Sequence, residues 1–151
     1  MMQFYPPRRY DIVLTNNRSK SISLNLPMPG FVFLGCGNDY WIWAVLGKQF
    51  DPHSQLYHAP LPNVMPSGAI CFGDSSLTPC SSQGIVQACS LFWSSPFSDH
   101  VVDGKSKSHR ADVRNFLCEL SNRKSKKYPI ADLVPLSLGS VSSVINQIVE
   151  R

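Results

Sequence analysis

The hydrophobic pattern of this chain changes period once, and a run of prolines and glycines separates the two regimes. Before residue 46 the apolar residues follow strand rules. Ser21-Ile-Ser-Leu-Asn-Leu26 alternates apolar and polar residues at period two, the pattern of a half-buried strand. Tyr10–Thr15 is a further candidate strand, with a polar turn expected at Asn16–Arg18. Pro27, Pro29 and Gly30 break the chain, and Phe31-Val-Phe-Leu34 reads as a short buried strand. Gly35–Asp39 has the glycine and asparagine content of a hairpin turn. Tyr40-Trp-Ile-Trp-Ala-Val-Leu46 is aromatic and β-branched, which suits a strand. Together these predict an antiparallel meander of about four strands.

After residue 80 the spacing becomes helical. Ile85, Ala88, Cys89 and Phe92 share one face of a predicted helix over 81–93, with Ser81 or Ser82 as its cap. Val113, Phe116, Leu117 and Leu120 repeat the pattern over 111–121, and Val141, Val144, Ile145 and Ile148 over 140–149. Between the regimes, residues 49–79 carry Pro52, Pro60, Pro62, Pro66, Pro79, Gly68 and Gly73 and no regular period. A long irregular stretch inside a compact domain is usually a functional loop. Strands, then an ordered loop, then helices imply an α+β fold with helices packed on an antiparallel sheet. The 151 residues suffice for one domain with its own core, residues 1–9 and 136–151 being expected at its periphery. A hydrophobic fraction of 43% against 16% charged residues excludes a disordered chain.

No apolar run reaches the ~20 residues of a membrane span, and residues 1–9 hold no apolar core of a secretory signal. Five cysteines at 36, 71, 80, 89 and 118, with no C-x-x-C pair, fit reduced thiols in a cytoplasm better than a disulfide framework. Cys89 and Cys118 fall in helical apolar patterns and read as core. Trp41 and Trp43 share one strand face, which fits packing against helices better than base stacking. His100 and His109 with Asp99 and Asp103 match no standard metal-ligand spacing, and neither metal nor cofactor is expected. The net charge of +4 is concentrated in Lys105–Arg114 and Arg123–Lys127, which read as solvated loops or as a surface for an acidic partner or nucleic acid.

The most informative stretch is Leu61-Pro-Asn-Val-Met-Pro-Ser-Gly-Ala-Ile-Cys71. It resembles the active-site segment of the E2 ubiquitin-conjugating superfamily, in which a His-Pro-Asn triplet precedes a short glycine-containing turn and an Ile-Cys pair. Cys71 follows Asn63 by eight residues, as in that pattern, with Pro62, Gly68 and Ile70 at matching positions. Leu26–Phe33, His58–Asn63, Ser95–Phe97 and Tyr128–Leu133 carry a wider likeness to prokaryotic E2 family D over roughly residues 20 to 135. The chain departs from the pattern at one place: Leu61 stands where the family has histidine, a residue that mostly shapes the loop, and His58 is three residues away from that position.

The resemblance implies a UBC-like fold and a thioester chemistry. Cys71 would accept the C-terminal acyl group of a ubiquitin-like protein from an E1-like (ThiF-type) adenylating enzyme and pass it to a lysine of an acceptor protein. An activated donor removes the need for a histidine base beside the thiol, so Cys71 needs exposure and only modest activation. Asn63 would stabilise the tetrahedral oxyanion or hold the loop through backbone hydrogen bonds. Gly68 would permit a tight turn at positive φ and Ile70 would anchor the loop inward. Asp99 or Asp103, after the first helix, would orient the incoming lysine or be an ordinary loop carboxylate. Three other readings stand beside this one: an E2 fold that kept its shape and lost transfer activity, a cysteine hydrolase with no base that the sequence positions, and a basic nucleic-acid-binding module.

Overall fold

The computed structural model describes residues 1–16 and 20–151, so the turn expected at 16–18 lies outside the described residues apart from Asn16. The elements run β1 (Met2–Tyr5), β2 (Arg8–Thr15), β3 (Ser21–Met28), β4 (Gly30–Cys36), β5 (Asp39–Val45), β6 (Gln55–His58), α1 (Ser82–Ser94), α2 (Val113–Asn122), a 3-10 turn at Ile130–Asp132, β7 (Pro135–Ser140) and α3 (Val141–Val149). The fold is α+β, and every pairing between named strands is antiparallel.

The strands do not form one meander. β2 and β3 make a two-stranded ribbon, while β4 and β5 lie inside a five-stranded sheet of order β1-β4-β5-β6-β7. The reason lies at the break between β3 and β4. Only Pro29 separates them, too short a link for β4 to fold back and pair with β3, so the chain passes straight from ribbon to sheet. The edge of β4 thus left open is taken by β1, with Phe4 opposite Val32 and Met2 opposite Leu34. β1, β6 and β7 have too few residues and too weak an alternation to be read from the sequence.

The sheet is covered on both sides. Phe31, Phe33, Tyr40, Ile42 and Ala44 face the larger core, shared with the inner residues of the β2–β3 ribbon and with α1 and α2. Val32, Leu34, Trp43 and Val45 face the opposite way, against Val141, Val144 and Ile148 of α3. Burial on both faces explains why Phe31–Leu34 is a continuous apolar run rather than an alternating one. Trp41 and Trp43 do share a face, and it is the face covered by α3.

The helices fall close to their sequence patterns. Ile85, Ala88, Cys89 and Phe92 of α1 are buried, as are Val113, Phe116, Leu117 and Leu120 of α2. Each helix is capped by a side chain at its start: Ser81 Oγ accepts from the Gly84 amide, Asp112 from Arg114, and Ser140 from Ser143. Among the described residues no helix is long and apolar enough to cross a membrane.

Candidate functional site

The irregular stretch after β5 contains the short strand β6 and then lies against the sheet over residues 59–71. Ala59, Pro60, Leu61, Pro62 and Val64 are buried, which removes water as a partner for their backbone groups. Residues 64–70 close a tight hairpin. Val64 bridges Ile70, the Met65 amide donates to Ala69 O at 2.8 Å, and the Gly68 amide donates to Met65 O at 2.8 Å. The returning arm adds to the edge of β5. The Ile42 amide donates to Gly68 O and the Ile70 amide to Tyr40 O, both at 2.9 Å. The loop is thereby fixed to the sheet by backbone bonds on one side.

Gly68 sits at φ 92°, and a Cβ there would lie 2.1 Å from Nε1 of the Trp43 indole. That nitrogen donates to Ser67 O at 3.0 Å, so the tip of the hairpin rests on the tryptophan. The position therefore requires glycine for two reasons, backbone conformation and the closeness of the ring. Ile70 is half-buried and packs against the larger core.

Asn63 occupies the left-handed region at φ 63°, which asparagine tolerates better than most residues. Its main chain is held at both ends: its amide donates to His100 O at 2.8 Å, and its carbonyl accepts from the Cys71 amide at 2.8 Å. Its side chain reaches the segment after α1. Oδ1 accepts from the Ser98 amide at 2.8 Å, and Nδ2 donates to Ser98 Oγ at 3.0 Å. Residues 98–100 are in turn tied to the ribbon through Phe97, whose amide donates to Val13 O and whose carbonyl accepts from Thr15 N, both at 2.8 Å. Asn63 thus joins the hairpin to the α1–α2 connection.

Cys71 is half-buried and carries a free thiol, as do the other four cysteines. It lines a pocket of about 190 Å³ together with Asn63, Phe72, Phe92, Pro96 and Phe97. Cys89 is buried in α1, Cys118 is half-buried on α2 against the larger core, and Cys36 and Cys80 lie at the hairpin end of β4 and before α1. Asp99 is exposed and stands between the two residues that hold Asn63, while Asp103 is exposed further along the same loop. Pro62 is buried beside Leu61, whose side chain is wholly inside the larger core. Among the described residues no group of three or more His, Cys, Asp or Glu side chains is arranged to hold a metal ion.

The basic segment 105–114 is not uniformly solvated. Lys105 is 2% exposed and its Nζ donates to the carbonyls of Leu61 and Val64, the latter at 2.6 Å. Arg114 pairs with Asp112 at 2.7 Å, and Arg123 of the second segment pairs with Glu119. Lys107 and Arg110 are exposed. Burial brings the Lys105 ammonium down to about 7, while Asp103 and Cys71 pull it upward. Burial likewise lowers His58, and the Lys105 charge lowers it further. The contacts of Lys105 and Ser98 with the site leave no local sign in the sequence: Leu61 and Val64 lie more than 40 residues from Lys105, and Asn63 lies 35 from Ser98.

A three-layered α+β chain with a cysteine loop laid against β5 of its sheet is compatible with an E2-like fold. The family model for prokaryotic E2 family D matches residues 1–136, and the chain belongs to that family. No curated protein and no solved structure matches it.

Proposed function

We propose that this chain is an E2-like carrier in a conjugation system, with Cys71 as the thiol that holds the acyl group of a ubiquitin-like protein. The observation that carries the reading is the shared wall of one small pocket. Cys71 and Asn63 both line it, and their backbones are joined by a 2.8 Å hydrogen bond.

In the first step the Cys71 thiolate attacks the carbonyl carbon of the thioester on an E1-like, ThiF-type enzyme. A new C–S bond forms to Cys71, the old one breaks, and the E1 thiolate departs. In the second step a lysine amine of an acceptor protein attacks the same carbonyl. The C–S bond to Cys71 breaks, the thiolate leaves, and the amine loses a proton to solvent. Asn63 Nδ2 carries two hydrogens and gives one to Ser98. The second is available for the oxyanion of the tetrahedral intermediate. Asp99, exposed beside Ser98, attracts the incoming ammonium and favours its approach in this reading.

One observation favours a second reading, in which the domain docks partners without transfer: the Asn63 amide already serves as a scaffold through both of its bonds to Ser98. That reading predicts that Cys71→Ala leaves cellular function intact. The nucleic-acid reading is weaker, since Lys105 is buried and Arg114 and Arg123 are paired.

The test mixes the protein with its activating enzyme, modifier and ATP and resolves the products on a non-reducing gel. The carrier reading expects a higher band that disappears with thiol reductant and is absent in Cys71→Ala. Its absence with active partners leaves the docking reading.

A further inference from the structure

Lys105 is the one lysine whose side chain lies wholly inside the described structure, and it stands beneath the Cys71 loop without a carboxylate at ion-pair distance among the described residues. A buried ammonium is costly unless its hydrogens are used. Here they meet the carbonyls of Leu61 and Val64, which bracket Asn63 in the chain. Those carbonyls belong to a buried segment, and Pro62 between them has no amide to contribute to any local turn.

The segment that delivers Lys105 is itself anchored. Ser106 Oγ donates to the buried Asp132 carboxylate, the Ser108 amide donates to Asp132 Oδ1 at 2.8 Å, and the Lys107 amide donates to Asp132 O at 3.0 Å. Lys105 therefore connects a fixed loop to the stretch of the site where Asn63, a non-glycine residue, is held at positive φ.

We propose that Lys105 is the positioning residue of the Cys71 site: its side-chain nitrogen holds the backbone on both sides of Asn63, and through it the Asn63 carbonyl that receives the Cys71 amide. This deepens, and for its consequence in transfer rests on, the reading of Cys71 as the acyl-carrying thiol. Charge strengthens each of these hydrogen bonds, but the cost of burying the ammonium outweighs that gain, as the lowered proton affinity of Lys105 reflects. The titratable groups around it are Asp103 on its own loop, Cys71 on the site loop and His58 at the end of β6. Deprotonation near neutral pH leaves two N–H groups for the two carbonyls and removes the charge. An opening that returns Lys105 to water takes up a proton that the closed loop disfavours, so the loop is firmer above neutrality than below it.

Amide hydrogen exchange followed by NMR tests this without any conjugation partner, on the wild type, Lys105→Met and Lys105→Gln. Methionine removes both donors, and glutamine keeps an uncharged one. In Lys105→Met the Asn63 and Cys71 amides are expected to exchange about tenfold faster or more, relative to the Phe33 and Ile42 amides of the sheet. In the wild type, protection of the same two amides, corrected for intrinsic base-catalysed exchange, is expected to rise between pH 6 and 8, with no such trend in Lys105→Gln. Uniform acceleration across the chain, unchanged exchange at Asn63 and Cys71, or the same pH trend in Lys105→Gln overturns the proposal. A loosened loop in a protein that never forms a thioester would reject the carrier reading and leave this one standing.

Discussion

The main-chain amide of Cys71 donates to the carbonyl of Asn63 at 2.8 Å, and this bond closes the hairpin of residues 64–70 over Trp43 of β5. The thiol and the asparagine amide are thereby set at one end of a loop whose other end is stitched to the sheet. Two residues eight apart in sequence become parts of one rigid wall, which is what a carrier thiol needs if a thin acyl tail is to be met in one orientation.

Asn63 has two separable duties, and Asn63→Asp separates them. Aspartate keeps an acceptor for the Ser98 amide and tolerates positive φ, and it loses the Nδ2 donor. Loading of Cys71 is expected to stay within a few-fold of wild type. Single-turnover discharge to free lysine is expected to fall about 10²–10³-fold. Unchanged discharge would assign Asn63 to the scaffold alone.

Gly68→Ala is expected to cost at least about 2 kcal/mol, since the new Cβ falls on the Trp43 indole at a backbone conformation that alanine resists. Urea denaturation followed by tryptophan fluorescence measures it. A loss under about 0.5 kcal/mol, the range of an ordinary surface change, would contradict the close packing of the hairpin tip on Trp43.

Lys105 makes stability depend on pH in a particular direction. The folded protein releases this proton at about 7, whereas an unfolded lysine keeps its proton to 10.5. Between those values the unfolded state binds more protons, so the Lys105 contribution to stability rises with pH. From pH 7 to 9 the gain is about 2 kcal/mol. The thiols of Cys89 and Cys118, pushed up by burial, act in the opposite direction in any variant. The measurement is therefore the difference between wild type and Lys105→Met in urea midpoints at pH 7 and 9. The wild type is expected to gain on the variant as pH rises, and a parallel course would place the lysine in water.

The three helices were legible because their apolar spacing is local: the four expected positions of α1 and of α2 are all buried. β4 and β5 were legible for a similar reason, since burial on two faces writes a continuous apolar run. The pairing of the strands was not. Whether β4 joins β3 or β1 depends on one proline at residue 29 and on a four-residue strand at 2–5, and neither leaves a periodic trace. Within the site, the spacing from Pro62 to Cys71 was readable as a motif. Ser98 and Lys105 were not, because their partners in the Cys71 loop are 35 and 41 or more residues away and only the folded chain brings them together. Lys105 in particular had the appearance of one more solvated cation in a basic run.

The central claim is that the Cys71 sulfur carries an acyl group, and intact-mass spectrometry of Cys71→Ser tests it most directly. A serine hydroxyl at this position would trap the modifier as an oxygen ester that withstands thiol reductant. With activating enzyme, modifier and ATP, the account predicts that the variant gains the mass of one modifier less one water, in a species stable to dithiothreitol and cleaved by mild base, while the wild-type adduct is lost to dithiothreitol. A wild-type adduct that survives dithiothreitol, or one that forms equally on Cys71→Ala, would contradict it.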